Sequence, residues 1–463
     1  MGNRVKVVIN GETIFVEKGT LLSSALGMEM PCGGRGTCGK CTVLVDGIAT
    51  LACQYKIVHD IVVEAPQCAE MLSEAGIIEG GAFTENMCLA LDIGTTTMAL
   101  ALVSLDEKRT IKVITASNPQ RAYGADIMTR IDYCSRHSVA KLQEILIAKI
   151  DRMIADIGAP NIGTMYVSGN TTMLHTFFGV DCSPMGVAPY TPAFLDRKEM
   201  FASALGLHRV ETVIALPSIA AFIGADIVAG LGFVGLPPKN KYDLLVDLGT
   251  NAEVVLFSEN RGFATSAAAG PCFEGANISC GMSASAGAIY SFEIKGGKPS
   301  YKTIGGELGT GICGTGLIDI IAVLLKNDII DQTGYMEKDY PICEGVYLSS
   351  DDVRQYQLAK SAVCSAILSL ISAAKIDFDD ISTMYISGGF SAKINIENAI
   401  YSGLLPKELE KKAAAINNSS LKGTIKYACE GERLAPFIDK VEYVDLADSS
   451  CFSKLFVENM MFE

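Results

Sequence analysis

The sequence predicts an α+β multidomain protein, in which a small β-rich domain precedes a larger α/β body built from two copies of one fold. Three observations predict this class. The first 65 residues alternate apolar and polar positions around tight-turn signals, four cysteines are grouped within that stretch, and two pairs of short segments recur far apart in the remainder. We place the N-terminal domain at residues 1–65, a glycine-bearing linker at 66–88, and the two copies at 89–240 and 241–463.

The N-terminal stretch has the pattern of a small sheet. Residues 5–9 and 13–16 alternate on either side of Asn10-Gly11, which is a strong signal for a two-residue hairpin. We expect a short helix at 20–28 and a further strand at 42–45, before the Asp46-Gly47 turn. This order of elements resembles a β-grasp ferredoxin-like domain.

Four cysteines in this domain form a candidate metal site. Cys32, Cys38, Cys41 and Cys53 are separated by five, two and eleven residues, and four thiolates are the ligand set of a [2Fe-2S] cluster. The neighbouring glycines allow the sharp bends that a cluster loop needs. Zinc is the alternative, although zinc ribbons usually contain two C-x₂-C pairs and only one is present here. The motif resembles those of plant-type and xanthine-dehydrogenase-type [2Fe-2S] domains, with one extra residue in the first gap.

The body contains a repeated pattern. The segment Asp92-Ile-Gly94-Thr95 is echoed by Asp247-Leu-Gly249-Thr250, and a Ser-Gly pair at 168–169 is echoed at 387–388. In each copy, an apolar strand runs into Asp-x-Gly-Thr, a second strand returns at 98–105 or 252–257, and a later strand ends at Ser-Gly. The sequence therefore predicts a duplicated fold.

The two Asp-x-Gly-Thr loops are candidate phosphate sites. Small residues let backbone N–H groups and hydroxyls approach phosphates, and a carboxylate at a strand end can hold Mg²⁺ through water; the alternative is a pair of tight turns. The pattern resembles the actin-like (ribonuclease H-like) superfamily of acetate kinases, sugar kinases, Hsp70 and actin, whose lobes close on ATP from either side. The phosphate-binding residues implied are Asp92, Gly94, Thr95, Thr96, Thr97, Asp247, Gly249, Thr250 and Asn251.

Two further glycine-rich segments resemble nucleoside-binding elements. Gly314-Thr315-Gly316 is similar to a loop-to-helix segment in the ATPases that activate 2-hydroxyacyl-CoA dehydratases, and Gly388-Gly389 matches the superfamily's adenosine motif. Taken alone, either segment could instead be a helix cap or a close strand crossing.

Three polar residues are candidates for catalysis. We expect Asp226 and Glu274 to polarise water or hold magnesium, and we give Asn170 the same status. Each acid could equally be a buried carboxyl paired with a backbone N–H.

Composition narrows the classes of partner. The formal net charge is −14, so a nucleic-acid partner is not expected, because such binding needs lysine and arginine to displace counterions. Apolar stretches such as residues 218–234 and 317–325 are either interrupted by an acid or too short to span a bilayer, so we expect no membrane partner. The fifteen cysteines, with no export leader at the start of the sequence, indicate reduced thiols or metal ligands in the cytoplasm.

Several longer segments resemble one family. Residues 118–126, 169–175, 187–190, 221–226 and 270–277 look like those of the reductive activators of corrinoid-dependent proteins, and the resemblance spans nearly the whole chain. It implies a [2Fe-2S] cluster, ATP and Mg²⁺ as cofactors, and one-electron reduction of a Co(II) corrinoid protein to Co(I) as the activity.

The same resemblance indicates the partners. They are a corrinoid protein of a methyl-transfer or O-demethylase system and a low-potential electron donor such as ferredoxin or flavodoxin, and a homodimer stays open. Some relatives carry an extra middle domain, which we expect to be missing here. Others carry C-terminal [4Fe-4S] clusters, and the widely spaced Cys343, Cys364, Cys429 and Cys451 predict none.

Two other function classes stay open. A small-molecule kinase with an attached redox module would share the ATP-binding loops, and would phosphorylate a metabolite with no corrinoid protein present. A non-enzymatic redox sensor would couple the state of the cluster to partner choice, and would deliver no net electrons.

Overall fold

The computed structural model describes residues 4–26, 28, 33–36, 41–65, 83–160, 162–389, 391–431, 438–447 and 449–462. The chain divides into two compact units, residues 1–217 and 218–463. The predicted linker falls mostly on residues 66–82, which lie outside the described residues.

The N-terminal part of the first unit is a five-stranded sheet with strand order β2-β1-β5-β3-β4, in which β1 and β5 are parallel. Its elements are β1 (Arg4–Ile9), β2 (Glu12–Glu17), α1 (Leu22–Ala25), β3 (Thr42–Val45), β4 (Ile48–Leu51) and β5 (Ile61–Glu64). The predicted hairpin is confirmed, since Asn10 and Gly11 take the left-handed φ angles of 46° and 93° that its turn requires.

The helix predicted at 20–28 is only four residues long. Leu21 forms an isolated bridge with Lys56, and the amide of Leu22 donates to Tyr55 O at 2.9 Å. This pairing holds the start of the segment in an extended conformation, with ψ of 135° at Leu21. Pairing with a segment distant in the sequence has therefore overridden the local preference for a helix.

The rest of the first unit surrounds a six-stranded sheet with order β10-β11-β9-β6-β7-β8. Strands β6, β9 and β11 are parallel, whereas β7 and β8 return antiparallel. The elements are β6 (Met87–Ile93), β7 (Thr97–Ser104), β8 (Arg109–Ser117), α2 (Ile127–His137), α3 (Ala140–Ile157), β9 (Ile162–Gly169), α4 (Thr171–Phe178), β10 (Lys198–Phe201) and β11 (Val210–Ala215).

The second unit is built on a six-stranded sheet with order β21-β20-β12-β13-β14-β22, and two smaller sheets accompany it. Its elements are α5 (Ala225–Val234), β12 (Tyr242–Leu248), β13 (Ala252–Phe257), β14 (Gly262–Ala267), β15 (Ala288–Lys295), β16 (Lys298–Thr303), β17 (Gly311–Ile312), α6 (Gly314–Lys326), β18 (Tyr340–Cys343), β19 (Val346–Leu348), α7 (Ser350–Ala374), β20 (Ile381–Ser387), α8 (Ile396–Tyr401), β21 (Ala413–Ala415), α9 (Ser419–Glu430), β22 (Val441–Tyr443) and α10 (Ser450–Glu458).

The two large sheets repeat one topology. In each, an antiparallel run of three strands (β6-β7-β8 or β12-β13-β14) is extended by two parallel strands beside its first member (β9 and β11, or β20 and β21). The duplication predicted from the sequence is therefore confirmed. Helix α5 precedes the predicted boundary at residue 240, yet it packs against α9 within the second unit.

Helix α7 is the longest apolar helix among the described residues. Its length and composition would allow it to cross a bilayer, but 78% of its apolar window is buried within the protein. It packs against strands β13 and β14. Helix α7 therefore has the environment of a core helix.

The contact between α5 and α9 generates a prediction about stability. A Cβ at Gly423 of α9 would lie 1.8 Å from Ala229 O of α5. Alanine normally favours a helix over glycine by about 1 kcal/mol, but the clash should reverse that sign, and we expect Gly423→Ala to lower the free energy of unfolding by roughly 1–3 kcal/mol. Denaturant titration measures this change in the free energy of unfolding. Gly163→Ala, where no atom lies within 4 Å of the added Cβ, is the control, and equal stability of the two variants would contradict the prediction.

Candidate active site

Two of the four predicted cluster ligands lie within the described residues. Cys41 and Cys53 are buried, at 1% and 4% exposure, and they belong to the core of the N-terminal sheet domain. The amide of Ala52 donates to Cys41 O at 2.9 Å, which fixes the two cysteine-bearing segments side by side. The other two predicted ligands, Cys32 and Cys38, lie outside the described residues.

The described stretch between those ligands, residues 33–36, is sharply bent. Gly33, Gly34 and Gly36 have φ of 62°, 78° and 75°, a region that glycine adopts without a steric penalty. The Gln54 carboxamide donates to Gly34 O and lies 3.8 Å from Cys53 Sγ. Buried thiols beside a bent glycine loop fit a cluster held by thiolates.

The first Asp-x-Gly-Thr loop leaves strand β6 beside the end of β9. The register pairs Asp92 with Ser168 and Ile93 with Gly169. The Ser168 hydroxyl lies 3.5 Å from Asp92 Oδ1. A Cβ at Gly169 would lie 2.8 Å from Ile93 O, so the close approach of the two strand ends requires glycine at this position.

The carbonyl groups of this first loop (residues 94–97) are bonded to the segment that follows β8. Asn118 Nδ2 donates to Gly94 O at 2.8 Å, and the Asn118 amide donates to Thr96 O at 2.9 Å. Arg130 of α2 is fully buried, and its guanidinium donates to Thr95 O at 2.5 Å. Sequence reasoning missed Arg130, although a charged residue between Ile127 and Ile131 on the apolar stripe of α2 was a usable signal.

Asn170, predicted as catalytic, lies beside the first loop. Its side chain caps helix α4 by accepting from Met173 N at 2.9 Å, and its Nδ2 donates to Thr95 Oγ1 at 3.0 Å. The described contacts orient Thr95. A direct catalytic role for Asn170 stays a prediction.

The second Asp-x-Gly-Thr loop repeats the strand-end arrangement of the first. Asp247 of β12 is in register with Ser387 of β20, and the Ser387 hydroxyl bonds to the Asp247 carboxylate. Gly388 has φ of 113°, and a Cβ there would lie 2.2 Å from Leu248 O. Gly389 is exposed, with open space at its Cβ position.

Glu274, another predicted catalytic residue, fixes this second loop (residues 249–251). The Thr250 amide and hydroxyl both donate to Glu274 Oε1, at 3.0 and 2.5 Å. Within the loop, the Gly249 amide donates to Asn251 O at 3.0 Å. A carboxylate oxygen thus holds the turn from one side.

Four carboxyl groups meet at the second loop, and we call Asp226, Asp247, Glu253 and Glu274 the acidic quartet. Asp247 and Glu253 face each other across the β12–β13 ladder. Burial raises the pKa of Glu253 well above its ordinary value, and the negative charges of the other three members raise it further. Burial also raises the pKa of Asp247, while its bond from Ser387 opposes that shift.

Sequence reasoning missed Glu253. The sequence could have indicated this residue, because a hairpin that closes around residues 249–251 places residue 253 opposite residue 247. Among the described residues, no three His, Cys, Asp or Glu side chains converge closely enough to ligate one metal ion directly. The carboxylates of the quartet are oxygen groups of the kind that a hard cation prefers.

The predicted nucleoside segment at the start of α6 is tightly packed. A Cβ at Gly314 would lie 2.1 Å from Phe273 O, and one at Gly316 would lie 2.0 Å from Ile289 O. Thr315 is 3% exposed. Close backbone packing explains both glycines, and their contact with a nucleoside stays a prediction.

Comparison with known proteins finds two related enzymes. Over 416 residues the chain is 28% identical to the corrinoid activation enzyme RamQ of Eubacterium limosum, covering 81% of this chain and 70% of that protein. Over 411 residues it is 27% identical to the [Co(II) methylated amine-specific corrinoid protein] reductase of Methanosarcina barkeri, covering 80% and 76% of the two chains.

A solved structure resembles the whole chain. The reductive activator for corrinoid, iron-sulfur protein superposes with a TM-score of 0.73 at 25% identity, and the match covers 99% of this chain and 98% of that one. The similarity therefore includes the N-terminal domain as well as the body.

Family sequence models cover the body in two parts. The model described as the C-terminal domain of RACo, the ASKHA domain, matches residues 241–463, and the model described as the RACo middle region matches residues 87–239. The chain belongs to the family of reductive activators of corrinoid proteins. Its C-terminal domain has the ASKHA fold of actin-like ATPases. The range matched by the middle-region model coincides with the first copy of the duplicated fold, the β6–β11 sheet. The absence of a further domain between the linker and this copy stays a prediction.

The raised pKa of Glu253 predicts a pH dependence. Between the ordinary glutamate pKa and the raised folded value, the folded state binds more protons than the unfolded state, so the free energy of unfolding must fall as pH rises. Without Mg²⁺ or nucleotide, Glu253→Gln should therefore lose less stability than the wild type between pH 5 and pH 8. Denaturant titrations at several pH values measure this, with exposed Glu259→Gln as the control. Parallel pH profiles for Glu253→Gln and the wild type would contradict the prediction.

Proposed function

We propose that this protein reduces an inactive Co(II) corrinoid protein to its Co(I) state by one electron, in a reaction that depends on ATP. The observation that carries the proposal is the presence, on one chain of this family, of a four-cysteine motif and a duplicated body with two Asp-x-Gly-Thr loops. The names of the two relatives, a corrinoid activation enzyme and a Co(II) corrinoid protein reductase, support the same activity.

The N-terminal domain would hold the electron carrier. The sheet order β2-β1-β5-β3-β4 and the buried Cys41 and Cys53 support a β-grasp ferredoxin-like domain with Cys32 and Cys38 as the remaining ligands. A bound [2Fe-2S] cluster supplies reversible one-electron chemistry at low potential, near about −400 mV in plant-type domains. The burial of the thiols limits access of water and oxidants.

The body would bind Mg-ATP through its two loops. The first loop offers backbone N–H groups and the hydroxyls of Thr95, Thr96 and Thr97 to phosphate oxygens, as glycine-rich loops do. The second loop offers Gly249, Thr250 and Asn251, and the acidic quartet would balance Mg²⁺. In this scheme Asp226 and Glu274 would hold Mg²⁺ or polarise the attacking water.

The need for ATP follows from redox arithmetic. If the Co(II)/Co(I) couple lies below the potential of the carrier, each roughly 59 mV of uphill transfer costs a factor of ten in the one-electron equilibrium. Nucleotide can drive such a transfer only if it binds differently to states of the complex that differ in cobalt coordination. A low-potential donor such as a ferredoxin or flavodoxin would reload the carrier in the cytoplasm.

The cluster can be tested by composition. Purified protein should contain two iron and two sulfide per chain, and Cys38→Ala should lose both because one of the four thiolates is removed. Exposed Cys451→Ala is the matched control and should keep them. Zinc in place of iron would make the cluster assignment wrong.

The activity can be tested by following the Co(I) absorption band. The protein is mixed with a Co(II) corrinoid protein and a low-potential reductant, with and without Mg-ATP. Co(I) should form only with ATP. Cys38→Ala should hydrolyse ATP without forming Co(I), and Asp247→Ala should accept electrons without passing them on, because the electron and the driving free energy come from separate sites.

Three outcomes would count against the proposal. Equal rates with and without ATP would remove the role of the nucleotide. Phosphorylation of a small metabolite, with no corrinoid protein reduced, would favour the kinase. ATP-dependent binding of a corrinoid protein without net electron transfer would favour the redox sensor.

A further inference from the structure

A salt bridge joins residues 33–36 to the body within the first unit. Arg35, which lies in the sequence between the predicted ligands Cys32 and Cys38, places Nη2 2.5 Å from Asp132 Oδ2 of helix α2. Asp132 also pairs with Arg136, one turn later on the same helix. The Arg35 bond is the largest cause of a lowered Asp132 pKa, so the carboxylate stays charged under ordinary conditions.

The backbone of the same stretch runs near the start of α2. A Cβ at Gly33 would lie 3.7 Å from Tyr123 O and 3.8 Å from Thr129 Cβ, which are van der Waals distances. Thr129 and Asp126 form the capping box of α2. Residues 33–36 therefore lie close to a capped helix end, and a side-chain ion pair links the two.

The same helix end carries the residue that holds the first phosphate loop. Arg130 lies two positions before Asp132, and its buried guanidinium bonds to Gly124 O and Thr95 O. Helix α2 thus contacts residues 33–36 through Asp132 and the first loop through Arg130.

The hydrogen bonds to the first loop also set the orientation of its backbone N–H groups. In a planar trans peptide the C=O and the following N–H point to opposite sides. The bond from Asn118 to Gly94 O therefore directs the Thr95 N–H away from Asn118, and the bond from Arg130 to Thr95 O directs the Thr96 N–H away from α2. That is the orientation needed to bind a phosphate on the other side of the loop, so the position of α2 in this structure favours nucleotide binding.

We infer that residues 33–36 dock reversibly on α2 through Arg35 and Asp132, and that this docking and nucleotide binding at residues 94–97 strengthen each other through α2. The inference rests on the proposed function and deepens it, because it names the contact by which nucleotide sets the position of the electron-carrying loop. Reciprocity of linked equilibria requires that loss of docking weaken nucleotide binding by the same factor that nucleotide strengthens docking.

The expected effect of the Arg35–Asp132 pair on the docking equilibrium follows from the solvent exposure of the two side chains. The side chains of Arg35 and Asp132 are 52% and 35% exposed, and exposed pairs of this kind change equilibria by about two- to fivefold. A contact of this strength can open and close during turnover. It should also weaken as salt is added.

A charge-swap experiment tests the inference on the full-length chain. The variants are Asp132→Arg, Arg35→Asp, and the double swap. Cluster loss to an iron chelator, followed by visible absorbance, reports exposure of the cysteine-bearing stretch, and titration with a non-hydrolysable Mg-ATP analogue reports nucleotide affinity. Each single variant should lose its cluster about two- to fivefold faster and should also bind the analogue more weakly, and the double swap should restore both values.

Glu144→Arg is the matched control, since it makes the same charge change on α3 of the same unit, where Glu144 pairs with Lys141. It should leave both readouts at wild-type values. Unchanged cluster loss in Asp132→Arg, or failure of the double swap to restore it, would overturn the docking. Unchanged nucleotide affinity in both single variants would overturn the coupling. If both effects appear and no corrinoid protein is reduced, the proposed function is wrong and the docking stands.

Discussion

Close approach of two parallel strands at a glycine determines the geometry of both halves of the body. At Gly169 and at Gly388, any side chain would collide with the backbone of the neighbouring strand, at Ile93 O and Leu248 O. The strands can therefore end side by side, which sets a serine against the aspartate of each Asp-x-Gly-Thr segment. Everything that the two loops can bind depends on this placement.

The two loops share this origin but differ in their surroundings. The first is held by amide and guanidinium groups of Asn118 and Arg130, which bond its carbonyls and direct its N–H groups outward. The second is held by Glu274 and lies within the acidic quartet, whose mutual repulsion is relieved by a cation. The first environment therefore offers donors that an anion would accept, and the second offers carboxylates that a hard cation would prefer.

The sequence was sufficient for features that depend on local pattern. The β1–β2 hairpin and the repeat of strand, Asp-x-Gly-Thr loop and return strand follow from turn chemistry and apolar periodicity, and the start of α6 at Gly314 was expected from a family resemblance. It was insufficient where long-range contacts decide the outcome. Helix α1 is short because Leu21 pairs with Lys56, and Arg130 and Glu253 acquire their roles from strand register and helix packing.

The central claim is that both loops of the duplicated body hold the nucleotide. Calorimetric titration of Mg-ATP into the wild type, Asp92→Ala, Asp247→Ala and the double variant tests it most directly. We predict that each single substitution weakens binding roughly tenfold or more, as expected for loss of an interaction with a charged group worth about 1.5–3 kcal/mol, while the iron content is unchanged. Wild-type affinity in the double variant would contradict the account.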